Sequence, residues 1–239
     1  MNADTPSANQ ANDKPDLTRG VVKRMVQVVF QTAFLVALPL ISAGRLDWVW
    51  PWAYLGVGIV ILAINALILS PELMAERGQP RENVKEWDRV LTSLITFPIL
   101  ALLIVAGLDE RFGWSPELAV AIHLIGLAFI ALGQGLFTWA MASNVFFSTA
   151  VRIQMDRGQT VASGGPYRYV RHPGYVGMIV SLLATALAFG SLWALIPAGL
   201  AAVLLVVRTA LEDKTLLEEL DGYTGYAERV RYCLLPGVW

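Results

Sequence analysis

Long apolar runs without charged residues limit most strongly how this chain can fold. A membrane-spanning helix needs about 20 apolar residues, and in lipid its backbone must satisfy its own hydrogen bonds. Asp, Glu, Lys and Arg are absent from the runs Met25–Ile41, Val49–Ser70, Val90–Leu108, Leu118–Ala142 and Pro173–Val207. The sequence therefore predicts an all-α, polytopic membrane protein.

The last apolar run predicts a helical hairpin. Pro173–Val207 is too long for one span and slightly short for two full ones. The pair Gly190-Ser191 near its middle supplies a turn. We expect one helix over Val176–Phe189 and a second over Leu192–Val207. With the four preceding spans, this gives about six transmembrane helices.

The positions of the basic residues predict the orientation in the membrane. Of the 18 Lys and Arg residues, all except Arg45 and Arg111 lie in four segments. These segments precede the first span, separate spans two and three, separate span four from the hairpin, or follow the hairpin. With six helices, all four segments share one side. The positive-inside rule then places that side and both termini in the cytoplasm.

Composition argues against several classes of protein. Only 15% of the residues are charged and 56% are hydrophobic, whereas a soluble domain carries about 25% charged residues. A soluble enzyme and a disordered protein are therefore not expected. The net charge of -1 gives no basic excess, so nucleic acid is not an expected partner. We also expect no metal centre, because the chain has only two histidines and one cysteine.

Some individual residues favour structural interpretations. His123, inside the fourth span, is interpreted as a structural or interfacial histidine. Cys233 is interpreted as a small apolar residue near the C-terminus. Gly133 and Gly135 favour close helix packing over a nucleotide site.

A polar and aromatic cluster stands directly before the hairpin, at residues 163–177. Its glycines and prolines shape the backbone, and it carries His172, which can donate and accept hydrogen bonds near neutral pH. Taken alone, the cluster also fits an interfacial aromatic belt with an ordered turn.

A second cluster begins where the hairpin ends. Arg208 and Glu212 are four residues apart and share one helix face, which alone indicates an ordinary ion pair worth about 0.2–0.5 kcal/mol. Two helices of similar length return the chain to its starting side. We therefore expect Arg208 to lie near His172.

The combined motifs resemble a known family. The segment Gly165-Pro-Tyr-Arg-Tyr-Val-Arg-His-Pro-Gly-Tyr-Val-Gly177 is similar to the GPYxxxRHPxYxG motif of isoprenylcysteine carboxyl methyltransferases and related phospholipid methyltransferases. The later motifs Arg208-x-x-x-Glu212-Asp213-x-x-Leu216 and Tyr223-x-x-Tyr226 are similar to that family's R-x-x-x-E-E-x-x-L and Y-x-x-Y tail. The chain departs from the pattern at Asp213, where the family has Glu, and at Val230-Arg231-Tyr232, where it has Val-Pro-Arg. The resemblance covers Asn144 to Pro236.

The resemblance implies an integral membrane methyltransferase that uses S-adenosylmethionine, bound in a cavity facing the cytoplasm. The cofactor-binding residues that it implies are Tyr167, Arg171, His172, Pro173, Tyr175, Gly177, Tyr223 and Tyr226. Arg208 and Glu212 resemble a catalytic pair between cofactor and substrate. Arg208 would align an anionic substrate group, and Glu212 would hold Arg208 or the ammonium group of the cofactor. Asn144 and Arg208 are the expected substrate contacts.

This interpretation divides the chain into three parts: a disordered polar tail at residues 1–20, a four-helix transmembrane region at 21–142, and a methyltransferase core at 143–239. The core contains the hairpin at 174–208 and a C-terminal segment that closes over the cofactor.

The expected methyl acceptor is lipophilic, either isoprenylcysteine carboxylate-like or a lipid amine, and enters laterally from the bilayer. Membrane lipids are the expected surroundings. Two alternatives remain: an NADPH-dependent membrane reductase of similar architecture, and a non-enzymatic small membrane protein. A transporter is less favoured, because transporters carry charges within their spans.

Overall fold

A computed structural model describes residues 17–77 and 83–239, and all regular elements in these two ranges are helical. The all-α prediction is confirmed. The α-helices in chain order are α1 Leu17–Ala43, α2 Val49–Ile68, α3 Pro71–Arg77, α4 Glu86–Phe112, α5 Val120–Ala142, α6 Pro173–Ala188, α7 Leu195–Glu219 and α8 Tyr223–Arg229. Short 3₁₀ turns occur at Met155–Arg157 and Gly165–Arg168.

Five of the described helices, α1, α2, α4, α5 and α7, are long and apolar enough to cross a bilayer, and α6 is a shorter apolar helix. This agrees with four long spans followed by a hairpin, and the chain is an integral membrane protein. Which side of the membrane holds the termini stays a prediction.

The hairpin helices are longer than the sequence predicted. The first begins at Pro173, because proline is tolerated at the first position of a helix, where its missing N–H is not needed. The second continues past Val207 to Glu219. The stretch 208–219 contains charged residues but no Gly or Pro, so the helix persists where hydrophobicity ends.

The predicted turn between the two hairpin helices is confirmed at Gly190. Its φ of +76° is a left-handed conformation that glycine adopts without steric cost. The Ser191 hydroxyl accepts a hydrogen bond from the Ala194 N–H at 3.0 Å and donates one to the Asp109 carboxylate. Asp109 belongs to the last turns of α4, so this end of the hairpin is fixed to α4.

Helices α5 and α6 pack with their backbones in direct contact. A Cβ at Gly133 would collide with the Gly177 carbonyl and with Ser181, and a Cβ at Gly177 would collide with the Gly133 carbonyl. The helix-packing interpretation of Gly133 is confirmed, whereas a Cβ at Gly135 would meet no atom within 4 Å. This contact fixes where the segment before α6 can lie.

The structural interpretation of His123 is also confirmed. Its Nδ1 lies 3.0 Å from the Ala188 carbonyl oxygen, and its ring stacks on Trp50 with 4.1 Å between centroids. The imidazole therefore joins α5 to α2 and to the end of α6.

The N-terminal tail differs from its predicted bounds. Helix α1 begins at Leu17, so residues 17–20 are helical, and the rest of the segment 1–20 lies outside the described residues. Gly20, in the part of α1 that precedes the apolar run, packs against buried Ala75 of α3.

Candidate active site

A cavity of about 370 Å³ lies between the loop 143–172, the start of α6, the middle of α7 and α8. It brings together both predicted clusters, including His172 and Arg208, so their expected proximity is confirmed. The predicted site residues that line it are Asn144, Tyr167, Arg171, His172, Tyr175, Arg208, Glu212, Tyr223 and Tyr226.

Two of the predicted cofactor-binding residues, Pro173 and Gly177, are not among the lining residues. Pro173 is fully buried at the first position of α6, and Gly177 faces α5. Gly174 and Met178 line the cavity instead. The reason is helical geometry, because residues one position apart point about 100° away from each other. The structure thus gives Pro173 and Gly177 roles in starting and packing α6.

Asp213 holds several site residues in place. Its carboxylate accepts two hydrogen bonds from Arg171, both 2.8 Å long, one of 2.8 Å from the Tyr223 hydroxyl, and lies 3.0 Å from His172 Nε2. Asp213 is not among the predicted site residues, although the sequence motif places it beside Glu212. On α7 the two acids point in different directions, so Asp213 faces the start of α6 while Glu212 faces the cavity.

Arg171 uses all of its side-chain donors within the protein. Besides Asp213, its guanidinium donates to the Val230 carbonyl at 3.0 Å, the Arg231 carbonyl at 2.8 Å and Cys233 Sγ at 2.7 Å. A guanidinium has five N–H donors, and five hydrogen bonds are formed here. These donors therefore hold Asp213 and the C-terminal segment, and a contact of Arg171 with the cofactor stays a prediction. The hydrogen bonds to Asp213 raise the pKa of Arg171 above its usual value.

Backbone hydrogen bonds place the C-terminal segment against the start of α6. The Arg171 N–H donates to the Tyr232 carbonyl and the His172 N–H to the Cys233 carbonyl, both at 2.9 Å.

Burial raises the pKa of Tyr223, and the charge of Asp213 adds to the effect. The Tyr223 hydroxyl therefore remains a donor at neutral pH, near His172 Nε2 at 3.3 Å.

Arg208 and Glu212 do not pair with each other. Arg208 Nε donates to Asp88 Oδ1 at 2.7 Å, and the Tyr175 hydroxyl donates to Glu212 Oε2 at 2.5 Å. Of the two roles expected for Glu212, holding Arg208 is taken by Asp88 of α4. Contact of Glu212 with the ammonium group of the cofactor stays a prediction. The guanidinium also lies over the Tyr175 ring, 5.5 Å from its centroid.

Asp88 is absent from the predicted site. It is 1% exposed and lies in the first turn of α4. In the sequence, Asp88 is marked only by its position two residues before the apolar run that begins at Val90. Because 120 residues separate Asp88 from Arg208, no local pattern in the sequence indicates that the two side chains pair.

Asn144, Tyr167 and Tyr226 line the cavity and contact one another. Asn144 Nδ2 lies 3.4 Å from the Tyr167 hydroxyl, and its Oδ1 accepts the Phe146 N–H at 2.9 Å. The Tyr226 hydroxyl donates to the Tyr167 carbonyl at 2.8 Å. Burial raises the pKa of both tyrosines, so they line the cavity as neutral aromatic groups. A role of Asn144 in substrate binding stays a prediction.

The cavity continues toward the lipid-facing side of the molecule. Its apolar part is lined by Ile95, Ile99, Met178 and Leu205. Three further lining residues, Gln31, Thr92 and Thr96, are exposed on α1 and α4. The cavity therefore reaches the outer surface of the helix bundle at these two helices.

Comparison with known proteins agrees with the resemblance found in the sequence. Residues 121–220 match the family model described as Phospholipid methyltransferase. The chain resembles the phospholipid methyltransferase family. A Protein-S-isoprenylcysteine O-methyltransferase from Schizosaccharomyces pombe is 36% identical over 66 residues, which are 27% of this chain and 28% of that protein. The resemblance predicted from the motifs is confirmed, and both descriptions favour a membrane methyltransferase. Asp88 and α8 lie outside the segment that matches the family.

Proposed function

We propose that this protein is an integral membrane methyltransferase that transfers a methyl group from S-adenosylmethionine to a lipophilic acceptor. The acceptor is either isoprenylcysteine carboxylate-like or a lipid amine. The continuous cavity is the observation that carries the proposal. It joins a polar end at His172, Glu212 and Tyr223 to an apolar end that reaches the bundle surface at α1 and α4.

The polar end fits S-adenosylmethionine. The cavity volume of about 370 Å³ falls within the range of about 300–1,000 Å³ typical of small-molecule sites. Among the described residues, the side chain of Glu212 receives a hydrogen bond only from Tyr175, so its carboxylate can meet a cationic group. The residues that would hold the cofactor are Tyr167, His172, Tyr175, Tyr223 and Tyr226.

The bound cofactor would supply an electrophilic methyl group on a sulfonium sulfur. The residues of the chain position the acceptor in line with this group and exclude water. Arg208 aligns an anionic acceptor group through hydrogen bonds. A carboxylate acceptor has no proton to lose, whereas an amine must be deprotonated first, and Glu212 is placed to take that proton.

Incubation of the purified protein with methyl-labelled S-adenosylmethionine and a total lipid extract tests the proposal. We expect label in the lipid fraction, and alkaline treatment then separates the two acceptor classes. A carboxyl methyl ester releases its label in alkali, whereas an N-methyl group retains it. Absence of label from every lipid would contradict the proposal.

Binding measurements separate this function from the reductase alternative. We expect S-adenosylhomocysteine, but not NADPH, to bind the purified protein in calorimetric titrations. Both comparisons with known proteins support this expectation, since both descriptions are those of methyltransferases. Binding of NADPH without S-adenosylhomocysteine would favour a reductase, and binding of neither would favour a non-enzymatic protein.

A further inference from the structure

Asp88 contacts Arg208 from a helix outside the family-matched segment. Its Oδ1 accepts Arg208 Nε at 2.7 Å, and its Oδ2 accepts the Val151 N–H at 2.8 Å. We propose that Asp88 is a positioning residue that orients the Arg208 guanidinium toward the methyl acceptor, an inference that rests on the proposed function. The helices that precede the family-matched segment would then supply part of the active site.

The surroundings of Asp88 fix the orientation of the guanidinium. Both carboxylate oxygens are engaged, and the Lys85 N–H donates to the Val151 carbonyl at 3.1 Å, which ties the start of α4 to the same loop. Arg208 Nη2 donates to the Thr149 carbonyl at 2.9 Å. With Tyr175 beneath its plane, the guanidinium has one arrangement in which all these contacts form.

This arrangement leaves one nitrogen available to a ligand. Among the described residues, Arg208 Nη1 has no hydrogen-bond partner, whereas Nε and Nη2 are occupied. Arg208 lines the cavity although it is only 7% exposed. Asp88, which does not line the cavity, therefore occupies Nε and leaves Nη1 for the acceptor.

A buried ion pair needs a reason beyond stability. Desolvation can exceed the attraction between the two charges, so the buried pair of Asp88 and Arg208 is by itself weak evidence for stability. Without the charge of Asp88, Arg208 could turn toward Glu212, one helical turn away on α7. That movement would misplace the guanidinium and engage the carboxylate that faces the cofactor.

Asp109 provides a matched control for Asp88. It is also a buried carboxylate of α4, 4% exposed, but it binds Ser115 and Ser191 at the other end of the helix and does not line the cavity. Asp88→Asn and Asp109→Asn each remove one buried charge from the same helix. The thermal midpoint, the affinity for S-adenosylhomocysteine, kcat and the KM for the lipid acceptor are measured for both variants.

We expect Asp88→Asn to lower kcat by about tenfold or more while S-adenosylhomocysteine binds about as tightly as to the unmodified protein. Asp109→Asn should lower the thermal midpoint by a similar amount and leave kcat unchanged. Should Asp88→Asn not fold, Asp88→Glu, which keeps the charge but moves it by one methylene, is compared with Asp109→Glu in the same measurements. In an Arg208→Lys background, Asp88→Asn should cause little further loss, since both changes act through the same guanidinium.

The outcomes separate this inference from the proposed function. If the unmodified protein methylates no lipid, both are overturned. If the unmodified protein is active and the Asp88 variant keeps its kcat, or loses it only as much as Asp109→Asn does, the role of Asp88 alone is overturned. It would also be overturned if Asp88→Asn lowered kcat by the same factor in the Arg208→Lys background as in the unmodified protein.

Discussion

At the scale of single residues, two buried aspartates organise the site. Asp213 holds Arg171, His172 and Tyr223, and Asp88 holds Arg208. Each carboxylate is paired with a cation, which lowers the cost of burying both. Glu212 forms no ion pair among the described residues and accepts a hydrogen bond from Tyr175, so it is the acid left to meet a positively charged ligand.

Replacement of Asp213 by Asn should weaken cofactor binding. The change removes the charge that holds Arg171 and the shared acceptor of His172 and Tyr223. The C-terminal segment and the cavity-lining side chains of His172 and Tyr223 are then less firmly held. We expect the Kd for S-adenosylhomocysteine to rise by about tenfold or more, since hydrogen bonds to charged groups contribute about 1.5–3 kcal/mol each. Calorimetry measures this Kd for Asp213→Asn and for the control Glu218→Gln, which removes the charge of an exposed acid on the same helix. Equal affinities in the two variants would contradict the role of Asp213.

The Cys233 thiol should react slowly with alkylating reagents. Burial raises its pKa from 9.0 to about 11, and the thiolate is the reactive form. We expect little modification by iodoacetamide at pH 8 and faster modification as the pH approaches 11. The folded protein holds the thiol proton more tightly than the unfolded chain, so this group's contribution to stability is present below pH 9 and is lost as the pH rises toward 11.

Mass spectrometry measures the modified fraction directly, since the chain has one cysteine. The denatured protein, in which Cys233 should react readily at pH 8, is the control. Equal rates in the folded and denatured protein at pH 8 would contradict the buried environment of this thiol.

At the scale of elements, the position of the site depends on contacts between helices. Helix α6 lies against α5 at Gly133 and Gly177, and its turn into α7 is fixed to α4 through Ser191 and Asp109. The start of α6 carries His172, and the middle of α7 carries Arg208. The close contact of α6 with α5 at these glycines therefore positions the start of α6, and with it His172.

Gly177→Ala should destabilise the protein through this contact. A methyl group would collide with the Gly133 carbonyl, and overpacking of this kind costs about 1–3 kcal/mol. Gly135→Ala is the matched control, because a Cβ there meets no atom within 4 Å. Thermal unfolding in detergent should show a lower midpoint for the first variant only. If Gly177→Ala keeps the unmodified midpoint but loses affinity for S-adenosylhomocysteine, Gly177 contacts the cofactor as the sequence predicted.

At the scale of the whole molecule, the two halves of the chain share one site. The Asp88–Arg208 pair and the ion pair of Lys85 with Glu219, 2.6 Å long, both join the start of α4 to α7. The cavity likewise takes lining residues from α1 and α4 as well as from the family-matched segment. These two long helices therefore contribute directly to the site.

The orientation of the molecule in the membrane follows from its basic residues. We predict that both termini and the polar end of the cavity face the cytoplasm, because the Lys- and Arg-rich segments share that side. Alkaline phosphatase fused after Trp239 in a bacterial host should be inactive, whereas green fluorescent protein fused at the same position should fluoresce. A phosphatase fused at the turn around Gly190 should be active. The reverse pattern would contradict the predicted orientation.

The sequence determined the helical class, the hairpin with its turn at Gly190 and the proximity of His172 to Arg208. These features follow from hydrophobic run length, glycine conformation and helical rise, all of which are local quantities. The sequence did not determine which partner each charged side chain would take. Three features depend on how each helix is rotated against its neighbours. They are the pairing of Arg208 with Asp88, the hydrogen bonds of Arg171 to the C-terminal segment, and the position of Gly177 outside the cavity. Only tertiary packing sets that rotation, because it is decided by contacts between residues far apart in the chain.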